Sequence, residues 1–135
     1  MITLNPIGQV SSLLVDREHA PKQGDEGAPD AWLVFKPEFT EALSDLGVGD
    51  EILLLTWLDR ADRSIQRVHP RDDPGAPIRG VFSTRSQDRP NPIGIHRVEV
   101  LEVAGPTRFR VSGLEAFDAT PILDVKPVLD RRRER

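Results

Sequence analysis

Prolines and glycines interrupt this chain often enough to argue for many loops and short elements: 12 and 10 of them fall among 135 residues. Each proline lacks the N–H that a helix interior needs and clashes with the turn before it. Between these breaks lie short apolar runs, the pattern of many loops and short strands. The extreme case is "STRSQDRPNPIG", Ser83 to Gly94, which follows an apolar run directly. Pro90 and Pro92 forbid a helix there, and the stretch is too polar for a core. A loop this stiff is suited to holding something in place.

Read in order, "PIGQVSSLLV" (Pro6 to Val15) is a strand, and residues 16–30 form a polar, Pro/Gly-punctuated loop expected to be mobile. "AWLVF" (Ala31 to Phe35) is a short strand. "KPEFTEALSDLG" predicts the one helix, with Pro37 in its first turn, Phe39, Leu43 and Leu46 on one face, and Gly47 as the stop. "EILLLTWL" (Glu51 to Leu58) predicts a fully buried strand. "SIQRVHP" and "IRGVFS" are further short strands. "IHRVEVLEV" and "TRFRVSG" predict a hairpin across "AGPT", with a bulge where the alternation slips between Val100 and Leu101. "PILDVKPV" closes the series. Seven or eight strands and one short helix predict a mainly β, single-domain fold over residues 1–135, an antiparallel β-barrel or curled sheet, with a basic tail at 129–135.

Composition narrows the function. No cysteine is present, which excludes disulfides, thiolate nucleophiles and cysteine-ligated metals. His19, His69 and His96 lack metal-like spacing, so no metal is expected. No apolar run approaches the roughly 20 residues that span a bilayer, and "MITLNPIGQV" lacks a targeting pattern, so a cytoplasmic protein without a membrane partner is expected. The net charge of −4 is wrong for a surface coated in phosphate contacts. Yet Arg79, Arg85, Arg89 and Arg97 face only Asp88 along their stretch, and the tail "RRRER" is basic. A local basic patch on an acidic body suits a specific anionic ligand. Neither a Rossmann fingerprint nor a P-loop is present.

Two segments concentrate residues that could carry chemistry. In the first, Arg85 and Arg89 offer planar charged forks, and Ser83, Thr84, Ser86 and Asn91 add short hydrogen-bonding groups. Pro90 and Pro92 fix the backbone on both sides of Asn91, which lowers the cost of ordering the loop on a ligand. Ligand loop and stiff connector both remain open on this reading. In the second, "LEAFDATPILDVKP" (Leu114 to Pro127), Asp118 and Asp124 lie six apart and would share a face in an extended segment. They could accept from hydroxyls, an ammonium group or a proton. Equally, Asp118 could cap a turn and Asp124 could pair with Lys126. Trp32 and Trp57 are expected in the core.

"GVFSTRSQDRPNPIG" followed by "LEAFDATPILDVKP" closely resembles the paired motifs of the TsaA-like (TrmO-like) family of S-adenosylmethionine-dependent tRNA (adenine-N6)-methyltransferases. Their patterns are approximately G-x-F-[AS]-T-R-S-P-x-R-P-N-P-I-G and L-D-x-x-D-G-T-P-[VI]-L-D-[IV]-K-P-Y, and "PIGQVSS" resembles the opening strand. The resemblance implies a small β-barrel that binds S-adenosyl-L-methionine, works as a homodimer and N6-methylates threonylcarbamoyl-adenosine beside the anticodon of certain tRNAs. It implies cofactor contacts at Arg85, Ser86, Arg89, Pro90 and Asn91, completed by Leu114, Asp118, Thr120, Pro121, Asp124 and Lys126. Asp118 is the first choice for a general base and Asp124 the second. Gln87, Ala119 and Val128 stand where the family often has Pro, Gly and Tyr. Two other readings stay open: a module that binds the cofactor without catalysis, and a methyltransferase acting on a small-molecule acceptor.

Overall fold

Alternation of inward apolar and outward polar residues sets the architecture. A computed structural model describes residues 1–15, 27–70 and 73–129. Eight strands follow in chain order: β1 (Gly8–Ser11), β2 (Ala31–Phe35), β3 (Glu51–Trp57), β4 (Arg67–Val68), β5 (Arg79–Gly80), β6 (Ile93–Val103), β7 (Arg108–Val111) and β8 (Pro121–Pro127). Six of them form a closed antiparallel ring in the order β1-β2-β7-β6-β3-β8, with β8 pairing back onto β1. β4 and β5 make a separate two-stranded ribbon just ahead of the Ser83–Gly94 loop.

The ring encloses one apolar cluster that includes Val10, Leu33, Leu54, Val100, Phe109, Leu114 and Ile122. Phe35 and Phe109 meet edge to face with centroids 5.8 Å apart, an arrangement worth about 0.5–1.5 kcal/mol beyond burial. The hairpin of β6 and β7 turns through Ala104 to Thr107, and its register slips between Val100 and Glu102, as the broken alternation predicts. A second slip lies between β3 and β8, where Leu55 opposes Asp124 and Thr56 opposes Ile122, leaving Leu123 over.

Three expectations are corrected. The helix over "KPEFTEALSDLG" is two 3₁₀ turns, Pro37–Phe39 and Glu41–Leu43. The Thr40 and Ser44 hydroxyls donate to the carbonyls of Pro37 and Glu41, at 2.7 and 2.8 Å, three residues back. Those side-chain bonds favour the tighter turn, and within the two turns only Leu43 is buried to anchor a helical face. β3 is not buried on both sides. Ile52, Leu54 and Thr56 point into the ring, while Leu53, Leu55 and Trp57 lie on its half-exposed outer face, as expected where nothing packs over an antiparallel sheet. The run "IRGVFS" gives only Arg79–Gly80 as strand before a 3₁₀ turn at Val81–Ser83.

Most of the loop expected at 16–30 lies outside the described residues, as does the tail beyond Leu129. The described end of that loop is tied down: Pro29 O accepts from Leu114 N at 3.0 Å, and Asp30 pairs with Arg110. No described helix is long and apolar enough to cross a membrane.

Candidate functional site

The proline-rich loop is held from within by one side chain. Arg89 donates through Nε to Ser86 O at 2.8 Å, and through Nη2 to the carbonyls of Thr84 and Val81. The guanidinium thereby gathers three carbonyls between Val81 and Ser86 around one charged fork. Thr84 adds to the scaffold, its hydroxyl donating to Val81 O at 2.9 Å and accepting from Ser86 N at 3.2 Å. Arg85 differs sharply from Arg89: it is exposed, and among the described residues no group pairs with it. One arginine builds the loop and the other is offered to solvent.

A segment that sequence reasoning passed over holds the loop from outside. After β3 the chain runs "LDRADRS", Leu58 to Ser64. Arg63 donates through Nε to Pro90 O at 2.7 Å and through Nη2 to Asn91 Oδ1 at 3.0 Å. Its guanidinium also lies 5.3 Å from the Trp57 ring centroid. Asp62 N donates to Asp88 Oδ1 at 2.8 Å, and Leu58 N to Pro92 O at 2.8 Å. The Ser64 hydroxyl and N–H donate to Asp62 and hold its carboxyl below the usual range. Arg60 reaches the other way, donating to Val15 O at 2.6 Å and lying 4.6 Å from the Phe117 ring centroid in the second motif. The alternating acids and bases of "DRADR" were the available signal, but their partners on the loop, at Val15 and in the second motif are 26 to 57 residues away.

Beneath the loop's C-terminal end is a polar pair inside the ring. Gly94 lies opposite Thr56, and His96 reaches Thr56 Oγ1 from Nε2 at 2.8 Å. A Cβ on Gly94 would stand 2.5 Å from that hydroxyl and 2.8 Å from the imidazole, so the pair fills the space a side chain would take. Burial pushes the His96 pKa down to about 4, which keeps the ring neutral.

The second motif is spread over three places. Leu114 is fully buried and Thr120 nearly so, with side chains in the core. Asp118 lies in a turn before β8, where its Oδ1 accepts from Ser12 N at 3.0 Å. Asp124 lies on β8, paired with Lys126 at 3.0 Å and accepting from Val125 N. The two aspartates do not share a face, because the chain between them is not extended. Thr120 N bonds Phe117 O across a turn, Ala119 takes a left-handed φ of 68°, and Leu123 is the bulge residue. Pro121 and Ala119 instead line an open groove of about 410 Å³ with Pro6, Gly8, Val34 and Lys36.

Register brings the two motifs onto one surface. Leu55 of β3 is flanked by Ile95 on β6 and by Asp124 on β8; Leu53 is flanked by Arg97 and Lys126; Trp57 opposes Ile93. Ile95 and Asp124 are therefore two strand spacings apart, roughly 9.5 Å. The outer face of β3 is an apolar strip, with the proline-rich loop at one end and an acid–base pair along one side. Of the sequence-predicted site residues, Arg85, Ser86, Arg89, Pro90 and Asn91 cluster in the loop, and Asp124 and Lys126 border the strip. Asp118 and Pro121 face β1. Among the described residues no group of three His, Asp or Glu side chains is placed to hold a metal.

Fold and site together define a mainly β protein with a long loop stiffened by prolines and arginines. Comparison with known proteins gives its family. The family described as tRNA-methyltransferase O N-terminal domain matches residues 9–132, and the chain belongs to it. A probable S-adenosyl-L-methionine-binding protein of Methanothermobacter thermautotrophicus is 40% identical over 126 residues, 93% of this chain and 89% of that protein. An S-adenosyl-L-methionine-binding protein of Archaeoglobus fulgidus is 40% identical over 123 residues, 91% of this chain and 86% of that one. The crystal structure of TrmO from Pseudomonas aeruginosa superposes with a TM-score of 0.71 at 29% identity, covering 96% of this chain. This chain spans 56% of the chain in that structure.

Proposed function

We propose that this protein binds S-adenosyl-L-methionine and transfers its methyl group to tRNA, at N6 of threonylcarbamoyl-adenosine beside the anticodon. The observation that carries the reading is the loop Ser83–Gly94, braced by Arg89 and Arg63 while Arg85 and Asn91 stay exposed. The donor set fits such a cofactor. The free guanidinium of Arg85 suits a carboxylate, and the amide of Asn91 suits an oxygen or nitrogen acceptor. The strip formed by Leu55, Trp57 and Ile95 suits an apolar ring face. Asp124 is paired with Lys126, but both are largely exposed, and such a pair holds its partners weakly. Its carboxylate stays available to an ammonium group or hydroxyl.

The bound cofactor supplies an electrophilic methyl group, and the chain supplies position. A braced loop reduces the motion lost on binding, and correct alignment alone accounts for much of the acceleration in transfers of this kind. Each aspartate accepts one backbone N–H, but Asp124 borders the strip while Asp118 faces β1, so Asp124 is the better placed of the two to act as a general base. Exposed Arg79 and Arg85 stand three residues before and after Phe82, which is 81% exposed. An aromatic between cations suits a stacked base and its phosphates. Arg97 is paired with Glu51 at 2.9 Å, so it contributes less to that footprint. Ile93 and Ile95, each 43% exposed along the β6 side of the strip, favour a homodimer that closes over a ligand lying on it. The protein would work in the cytoplasm.

Incubation with methyl-labelled S-adenosylmethionine and total tRNA tests the reading. Label should enter tRNA and, after digestion, a nucleoside one methylene heavier than threonylcarbamoyl-adenosine. Label confined to small molecules would move the acceptor. The relatives' names favour one alternative, a binding module without transfer, and cofactor binding with no label in any acceptor would establish it.

A further inference from the structure

The segment between β3 and the ribbon is more than a connector. Arg63 is exposed, lies outside both motifs and makes two directed bonds to consecutive residues of the loop, Pro90 O and Asn91 Oδ1. A guanidinium has only donors, so the oxygen of the Asn91 side chain must face Arg63. The Nδ2 group is thereby turned the other way, and among the described residues nothing accepts from it. Trp57 supports Arg63 from below at 5.3 Å, and the same ring borders the apolar strip.

We infer that Arg63 is a positioning residue: it sets the polarity of Asn91, presenting that side chain to the ligand as a donor only. The inference rests on the proposed cofactor reading and deepens it, because it states which chemical group Asn91 meets. That group is an acceptor, a carboxylate, ribose oxygen or ring nitrogen of S-adenosylmethionine, and never a donor. Removing Arg63 frees the amide to rotate, so that half of its orientations offer oxygen to an acceptor. A lysine in its place can fill one of the two bonds but not both, since its ammonium is a single point rather than a fork.

Calorimetric titration with S-adenosylmethionine tests this with four single variants and one double. Arg63→Met should weaken binding on the order of tenfold, the usual scale for a misdirected charge-assisted bond, and Arg63→Lys should recover part of the loss. Asn91→Asp keeps the acceptor for Arg63 but loses both amide donors, so it should bind as poorly as Asn91→Ala while melting no lower than the parent. In the Asn91→Ala background, Arg63→Met should add little, because both changes remove one interaction. A purely structural Arg63 would not show that coupling. Parent-like binding by Arg63→Met, undiminished binding by Asn91→Asp, or full additivity would each overturn the inference and leave the cofactor reading standing. Failure of the unaltered protein to bind S-adenosylmethionine would overturn both.

Discussion

The two motif regions are built by opposite means. The Ser83–Gly94 loop stands largely on side chains that satisfy backbone, the Arg89 and Arg63 guanidiniums donating to carbonyls of Ser86, Thr84 and Pro90. The Leu114–Pro127 segment stands on the core itself: Leu114, Ala116, Thr120 and Ile122 are all buried, and its second half is a ring strand. The first can lose its shape while the ring survives. The second cannot, since the residues that shape it are the residues that close the fold.

That contrast is broken most directly by a pair of truncations. Leu114→Ala should lose about 2–5 kcal/mol of global stability, the range for a buried leucine. Arg89→Ala should lose far less in global unfolding while weakening S-adenosylmethionine binding and opening residues 84–91 to proteolysis. Urea unfolding of both variants, with limited proteolysis, checks this. Equal losses in global stability would show that the loop is part of the core's cooperative unit.

The His96–Thr56 pair sharpens the comparison, because it is where the loop does touch the interior. Burial holds the folded imidazole near 4 against an ordinary 6.5, so the unfolded chain takes up the proton first. Stability is therefore full above pH 6.5, falls as the pH drops toward 4 and levels off below that. The shift corresponds to about 3 kcal/mol. His96→Gln should remove that part of the slope, read as the difference in urea midpoint between parent and variant from pH 7 to 4. Parallel profiles would mean that the imidazole is not secluded.

The smallest effect belongs to the turn of the second motif. Ala119 holds a φ of 68°, which an L-residue adopts at a cost and glycine adopts freely. Ala119→Gly should stabilise the protein by roughly 0.5–1 kcal/mol, the relief of strain less the added freedom of the unfolded chain. A thermal melt that falls instead would place the strain elsewhere.

How far the sequence was legible follows the same division. The stiffness of the loop could be read from Pro90, Asn91 and Pro92 alone, because proline acts on its own neighbours. Strand positions were also local matters, and "AWLVF" coincides with β2 residue for residue. The bracing by Arg63 was not legible, since its partners are 27 and 28 residues away. The helix failed because Thr40 and Ser44 compete for carbonyls, an effect that apolar spacing does not register. The shared face of Asp118 and Asp124 failed because one left-handed residue and one bulge undo the alternation on which it rested. The pairing of Asp124 with Lys126 was one of the alternatives left open, and it is present.

The seam between β1 and β8 joins residues more than a hundred positions apart, pairing Gly8 with Ile122 and Gln9 with Pro121 and continuing through bonds between Val10 and both Ala119 and Thr120. Chain closure over such a span is slow compared with forming the adjacent hairpin of β6 and β7. During synthesis β1 can pair with β2, and β3 with β6 once Val103 has emerged, but β2 joins the rest only through β7 after Val111, and the second edge of β1 waits for β8 beyond that. Until then the edges of both strands stay open to any other extended chain. The interval before the seam shuts is the period in the life of this protein when it is most exposed to mispairing.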